Sequence, residues 1–217
     1  MKRIYFVRHG ESTSNAEGIL YGKDAPLTEK GKEQAHAVAR RFVHIPIDIV
    51  LSSDYPRAYD TAEAIAAATQ REHIVYPHLH EKSLPATFVG RSRDDSERVQ
   101  AHEAYLRSWR AGVRDYRISD EENFEDLLAR ARTVKEYLNS REEQRIAAVT
   151  HGNFLKFFHS YVMFGDALTP DMSLTVQAAL ASSNTGVTIY EVHTNVRYEW
   201  EGNWKLRTWM DIAHLGE

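Results

Sequence analysis

Arg8-His9-Gly10 stands directly behind the apolar run Ile4-Tyr5-Phe6-Val7, and Thr150-His151-Gly152-Asn153 stands behind Ile146-Ala147-Ala148-Val149. Both pairings put a histidine and a glycine where a buried strand gives way to a loop. An imidazole with one unprotonated nitrogen can attack phosphorus, and a guanidinium neutralises phosphate oxygens with a planar fork that is always charged. Arg8 is one such guanidinium. Arg57, in Leu51-Ser52-Ser53-Asp54-Tyr55-Pro56-Arg57, is a second, placed at a helix opening where free backbone amides also favour anions. His9 is then the candidate nucleophile and His151 a donor to a phosphate oxygen, with Asn15 and Asn153 as neutral groups able to complete a cradle. Gly10 and Gly152 permit close approach of backbone to a ligand. Each residue alone has a plainer explanation, such as a core histidine, an ion-paired surface arginine or an asparagine cap. Their shared position behind strands is what those explanations leave out.

The elements that must position them alternate between strand and helix. Ile4–Val7, Ile47–Leu51, Ile74–Tyr76 and Ile146–Val149 are short apolar runs of the kind buried on both faces of a sheet. Thr28 can cap a helix over about 29–42, with Ala35, Val38, Ala39 and Phe42 on one face. Pro56 suits the first turn of the next helix, whose face carries Ala62, Ile65, Ala66 and Thr69. Another helix spans about 123–140, with Leu127, Leu128, Ala131, Val134 and Leu138 inward, and one more begins near Gly152. Gly186–His193 and Lys205–Trp209 read as antiparallel strands around a turn at Glu201-Gly202-Asn203. This predicts one α/β domain over 1–217: a three-layer, mostly parallel sheet with helices on both faces and an antiparallel strand near the C-terminal edge. The polar stretch 83–122, helical around 96–113, reads as a lid-like insertion, with Arg91, Arg93 and Arg98 placed to touch the far end of a substrate. In such sheets ligands bind beyond the carboxyl ends of the strands, so the three polar clusters should converge on one edge.

Composition narrows the partners. The net charge is −4 and there is no cysteine, which excludes thiolate catalysis, disulfides and cysteine-bound metal, and gives no global basic field for nucleic acid. No apolar run has membrane-spanning length, and Met1 leads at once into a strand, so a cytoplasmic protein without a membrane partner is expected. His78 and His80 form a His-x-His pair beside Glu81, but no third ligand stands at a persuasive spacing, so a solvated strand face is the reading. The pattern specifies no oligomeric state.

Four stretches resemble the histidine phosphatase superfamily, the phosphoglycerate-mutase-like family. They are Val7-Arg8-His9-Gly10-Glu11-Ser12 with Asn15; Pro26-Leu27-Thr28-Glu29-Lys30-Gly31 with Gln34-Ala35; Ser52-Ser53-Asp54 through Arg57-Ala58 with Thr61-Ala62; and Thr150-His151-Gly152. The resemblance covers most of the chain outside the insertion. It implies a phosphohistidine on His9, a phosphate pocket of Arg8, Arg57 and His151 assisted by Asn15, no metal and no other cofactor. It also implies a proton donor just past the third strand, a position that Glu81 matches. Tyr21 and Gly22, in the stretch after the first motif, are assigned with Gly152 and Asn153 to substrate binding.

The resemblance leaves the reaction class open. Cofactor-dependent mutases carry a Gly-Trp segment where this chain has Gly18-Ile19-Leu20-Tyr21-Gly22-Lys23-Asp24, and an arginine, aromatic and glycine run where it has Lys82-Ser83-Leu84-Pro85. Asn153 recurs in mutases, while Trp204-Lys205-Leu206 with Ala213-His214-Leu215 resembles the phosphatase branch. The expectation is a metal-independent phosphatase acting on a small phosphorylated metabolite. The alternatives are a phosphoglycerate mutase-type phosphotransferase and a non-catalytic phospho-ligand binding module.

Overall fold

A computed structural model describes residues 1–193 and 203–216. In chain order the elements are β1 (Lys2–Arg8), α1 (Thr13–Glu17), α2 (Glu29–Val43), β2 (Ile49–Ser52), α3 (Pro56–Thr69), β3 (His73–Val75), α4 (Ser96–Arg110), α5 (Phe124–Ser140), β4 (Arg145–Thr150), α6 (Gly152–Phe164), α7 (Pro170–Ala179), β5 (Val187–Val192) and β6 (Trp204–Asp211). The six strands form one sheet in the order β3-β2-β4-β1-β5-β6. β1 to β4 are mutually parallel, while β5 pairs antiparallel with both β1 and β6. The mostly parallel α/β sheet with an antiparallel C-terminal edge is therefore observed. The Glu201-Gly202 part of the expected turn lies outside the described residues. Among those described, no helix is long and apolar enough to cross a membrane.

Two apolar layers sandwich the sheet, and strand alternation assigns residues to them. Tyr5, Val7, Val50, Ala147 and Val149 face one side with Val38 and Phe42 of α2 and Ala62 and Ile65 of α3. Ile4, Phe6, Leu51, Ile146 and Ala148 face the other with Leu127 and Val134 of α5 and Phe154 and Phe158 of α6. Thr69, expected on the inward face of α3, is only partly buried and donates to the Ile65 carbonyl. Local signals start the helices. The Thr28 hydroxyl accepts from the Gly31 N–H, Pro56 opens α3, and Asn123 with Asp126 forms a capping box ahead of α5.

This layering sets the place of the cleft. After β1 the chain leaves for α2 on one face; after the neighbouring β4 it leaves for α6 on the other. Adjacent parallel strands whose connections diverge open a crevice at their carboxyl ends.

Backbone contact near that crevice is tight. A Cβ on Gly31 would lie 1.9 Å from the Glu11 carbonyl oxygen, and one on Gly10 would lie 2.4 Å from the Gly31 carbonyl oxygen. Gly10 is thus required by packing of backbone on backbone, where the sequence suggested approach to a ligand. Gly31→Ala should destabilise the fold by about 2 kcal/mol or more through this overlap. A urea midpoint indistinguishable from wild type would show that the loop yields instead.

Candidate active site

Strand register brings the two histidines together. Arg8 pairs with Thr150 across β1 and β4, so the next residues, His9 and His151, emerge side by side. Their rings stand 4.9 Å apart between centroids, both buried. Backbone geometry fixes the chemistry of His9. Its Nδ1 lies 2.6 Å from the Gly10 carbonyl oxygen, an acceptor, so Nδ1 carries the proton and donates. Nε2 is left with a lone pair, which accepts from Arg57 Nε at 3.3 Å. Burial, then Arg57, then Arg8, hold His9 well below the ordinary histidine range. The ring is therefore biased toward its neutral form.

His151 precedes the first residue of α6. Its Nε2 lies 3.0 Å from Ser53 Oγ, while its buried Nδ1 has no hydrogen-bond partner. Burial first, then the competing His9 ring and the Arg57 charge, depress its protonation too. Arg8 Nη1 donates to the Ser182 carbonyl at 2.9 Å, leaving the buried Nε unpaired beside the unpaired Ser182 Oγ. Arg8 Nε and Ser182 Oγ are thus two orphaned buried polar atoms among the residues of one cleft, as expected of a site built for a polar ligand. A Cβ on Gly152 would meet Ser182 Oγ at 2.6 Å and Arg8 Nε at 3.3 Å, so this glycine keeps the arginine in position.

Arg57 stacks on Tyr55, with its carbon 5.0 Å from the ring centroid, and its Nη1 donates to the carbonyls of Gly22 and Lys23. Glu81 ties the loop after β3 to α6. Its carboxylate accepts from the N–H groups of Lys82 and Phe154, both at 2.8 Å, and of Asn153 at 3.2 Å. Asn15 Oδ1 accepts from the Ser12 backbone and from Asn184 Nδ2.

Arg8, His9, Asn15, Gly22, Arg57, Glu81, Gly152 and Asn153 all line one cleft of about 450 Å³. Tyr21 does not. It is exposed, its hydroxyl bonds Glu17, and it borders a separate shallow hollow on the outer side. Arg93, Arg98 and Lys156 add three cations to the cleft, against the single carboxylate of Glu81. This local concentration of positive charge in an acidic chain suits a dianion. Arg91 faces elsewhere, paired with Asp95 and Glu97. His78 and His80 give their backbone carbonyls to Arg130, and His80 stacks on Tyr55.

Ser182 and Asn184 were not singled out in the sequence. Asn184 Nδ2 donates to the His9 carbonyl at 3.0 Å and to Asn15, holding the His9 backbone. Their signal lay in the polar run Ser182-Ser183-Asn184 before β5. An antiparallel strand begins at the edge where its parallel neighbours end, so residues ahead of it join residues behind them.

Two buried neutral histidines make stability depend on pH. Their folded pKa values lie below the unfolded value of about 6.5, so the unfolded chain binds protons that the fold refuses. Stability present above pH 6.5 should fall as pH drops below it, by up to about 1.4 kcal/mol per pH unit for each ring. Urea midpoints of the ligand-free protein between pH 7.5 and 5.5 should show this slope. It should shrink in a His9→Gln/His151→Gln variant, and an unchanged slope there would mean the rings are charged in the fold.

Comparison with known proteins gives the same picture at the level of the whole chain. The model of the histidine phosphatase superfamily (branch 1) matches residues 4–205. A Hydrogenobacter thermophilus protein, provisionally named phosphoserine phosphatase 2, is 32% identical over 156 residues, covering 71% of this chain and 75% of its own. A protein of Enterobacter sp. (strain 638), named probable phosphoglycerate mutase GpmB, is 34% identical over 154 residues, 70% of each chain. The crystal structure of an Entamoeba histolytica phosphoserine phosphatase mutant with phosphoserine has the same fold. It superimposes with a TM-score of 0.78 at 23% identity, over 99% of this chain and 100% of that one.

Proposed function

Because the chain belongs to the histidine phosphatase superfamily, we propose that it is a metal-independent phosphatase that passes the phosphoryl group of a small phosphomonoester through His9 Nε2. One observation carries this reading: the Gly10 carbonyl takes the Nδ1 proton, so the nitrogen facing Arg57 is the one with a lone pair. A plain binding site has no need of a neutral, oriented imidazole among cations.

The geometry supports the following sequence of steps. The dianionic phosphate sits among Arg8, Arg57 and His151, with Asn15 assisting, and the guanidinium groups offset the charge spreading over its oxygens. His9 Nε2 attacks phosphorus in line and the bond to the alcohol oxygen breaks. Glu81 gives that oxygen a proton and is left as carboxylate. Water then attacks the phosphohistidine, passing a proton back to Glu81 and releasing inorganic phosphate with His9 restored. Since Glu81 meets three backbone amides in the resting arrangement, its carboxyl must turn toward the leaving group to act.

Glu81→Gln tests the assignment. Loss of kcat should reach about 10²-fold for alkyl phosphates and stay far smaller for p-nitrophenyl phosphate, whose leaving group needs no proton. Equal losses for both esters would remove the acid role. For the activity itself, phosphate release should persist in chelator. A bisphosphoglycerate-dependent exchange of phosphate between carbons would favour a mutase, the activity that the name of the Enterobacter relative carries. Binding without any release would make the protein a phospho-ligand module.

A further inference from the structure

Beside the cation-lined cleft lies a second, larger cavity of about 570 Å³. The two chambers share Leu84, Arg93, Arg98 and Asn153, so they adjoin along a common wall. The character of the surface changes along the way. Beyond the arginines the larger chamber is walled by Phe88, Val99, Leu106, Ile118 and Leu174. Leu84, Val99 and Ile118 stay about 40% exposed around its mouth. Apolar side chains gathered at an open cavity are stabilised when a hydrocarbon surface covers them.

Two of the charged groups on its wall, Lys82 and Glu121, are already engaged within the protein. The Lys82 ammonium rests 3.6 Å from the Tyr105 ring centroid and 5.0 Å from that of Trp109, and burial pushes it down to about 7. The carboxylate of Glu121 accepts from the Ile118 and Ser119 backbone amides. Arg93, Arg98, His102, Glu103, Asn153 and Gln177 complete the polar part of the chamber's lining. Its volume lies in the range of small-molecule sites, whereas a compact polar phosphoester would fit within the first chamber and leave the second empty.

We infer that the substrates are phosphomonoesters of bulky, mainly apolar alcohols, with the phosphate beside His9 and the hydrocarbon body in the second chamber. The insertion at 83–122 supplies most of that chamber's wall, which makes it the specificity element. What happens to the ester rests on the phosphatase reading; what the ester carries rests on the cavity.

The test separates the two. Calorimetry on the His9→Ala protein compares n-octyl phosphate, below micelle-forming concentration, with ethyl phosphate, phosphoserine and 3-phosphoglycerate. Octyl phosphate should bind at least about tenfold tighter than ethyl phosphate, with a more negative heat-capacity change. Wild-type kcat/KM should favour octyl over ethyl by a similar factor, and the two alcohols are alike as leaving groups. In Val99→Trp, which fills the chamber at its exposed rim, the preference should fall below about threefold while ethyl phosphate is handled within about twofold of wild type. Equal affinity for octyl and ethyl, tighter binding of phosphoserine or 3-phosphoglycerate, or a preference untouched by Val99→Trp would overturn the inference. Hydrolysis of every ester without chain-length preference would overturn it and leave the phosphatase reading standing. Tight octyl binding with no phosphate release would do the reverse.

Discussion

His9→Ala should lower turnover of every phosphomonoester by about 10⁴-fold or more while the protein still binds phosphate. The substitution removes the attacking Nε2 and leaves Arg8, Arg57 and His151 in place, because His9 is held through backbone bonds to Thr150, Thr185 and Asn184 that alanine keeps. Ground-state affinity then persists, and even rises where the imidazole crowds the anion, so the loss falls on kcat. Two measurements check this. Phosphate release in chelator should disappear in the variant, and a rapid quench that avoids acid should find label on His9 in the wild type. Label on a serine or an aspartate would sink the mechanism, as would a loss smaller than tenfold.

Arg57→Gln should cost about 10²- to 10³-fold in kcat/KM, the range for removing one donor aimed at developing charge. It should also move the acid limb of the pH profile. Arg57 is the largest electrostatic cause, after burial, of the low protonation of His9. Without its charge the folded pKa of His9 rises, so activity should be lost at a higher pH as the solution is acidified. Arg57→Lys separates the two effects. It keeps the charge, so the limb should stay low, yet it loses the fork that reaches His9 Nε2 and two carbonyls at once. An Arg57→Gln profile that coincides with wild type would show that Arg57 does not set the state of His9.

The elements that carry the site were legible because their signals are local. Thr28, Pro56 and Asn123 start helices at the expected places, and the apolar runs of β1 and β4 are buried along their length. Boundaries moved by up to three residues: β6 extends over Trp204–Asp211, and α4 ends at Arg110 rather than near 113. α7 carries a Pro170 start and a Thr169 cap, but its weak apolar face gave little period to read. Tyr21 was drawn toward the site by its neighbours in sequence. The left-handed Gly22 and the Glu17 contact instead leave it exposed, and it is the Gly22 and Lys23 carbonyls that reach Arg57.

By itself the sequence determined the types of the reacting groups and their placement behind strands, since apolar periodicity and helix caps act over a few residues. Only the tertiary structure decided which groups meet. The β1–β4 register set His9 beside His151, the Gly10 carbonyl chose which nitrogen is free, and the antiparallel entry of β5 delivered Ser182 and Asn184. The first and last of these join residues more than a hundred positions apart, and the second, though between neighbours, turns on a backbone conformation that no residue pattern records. The apolar chamber beside the cleft has the same origin: it exists because α4 and α7 pack near the α6 N-terminus, and no single stretch of the chain spells it.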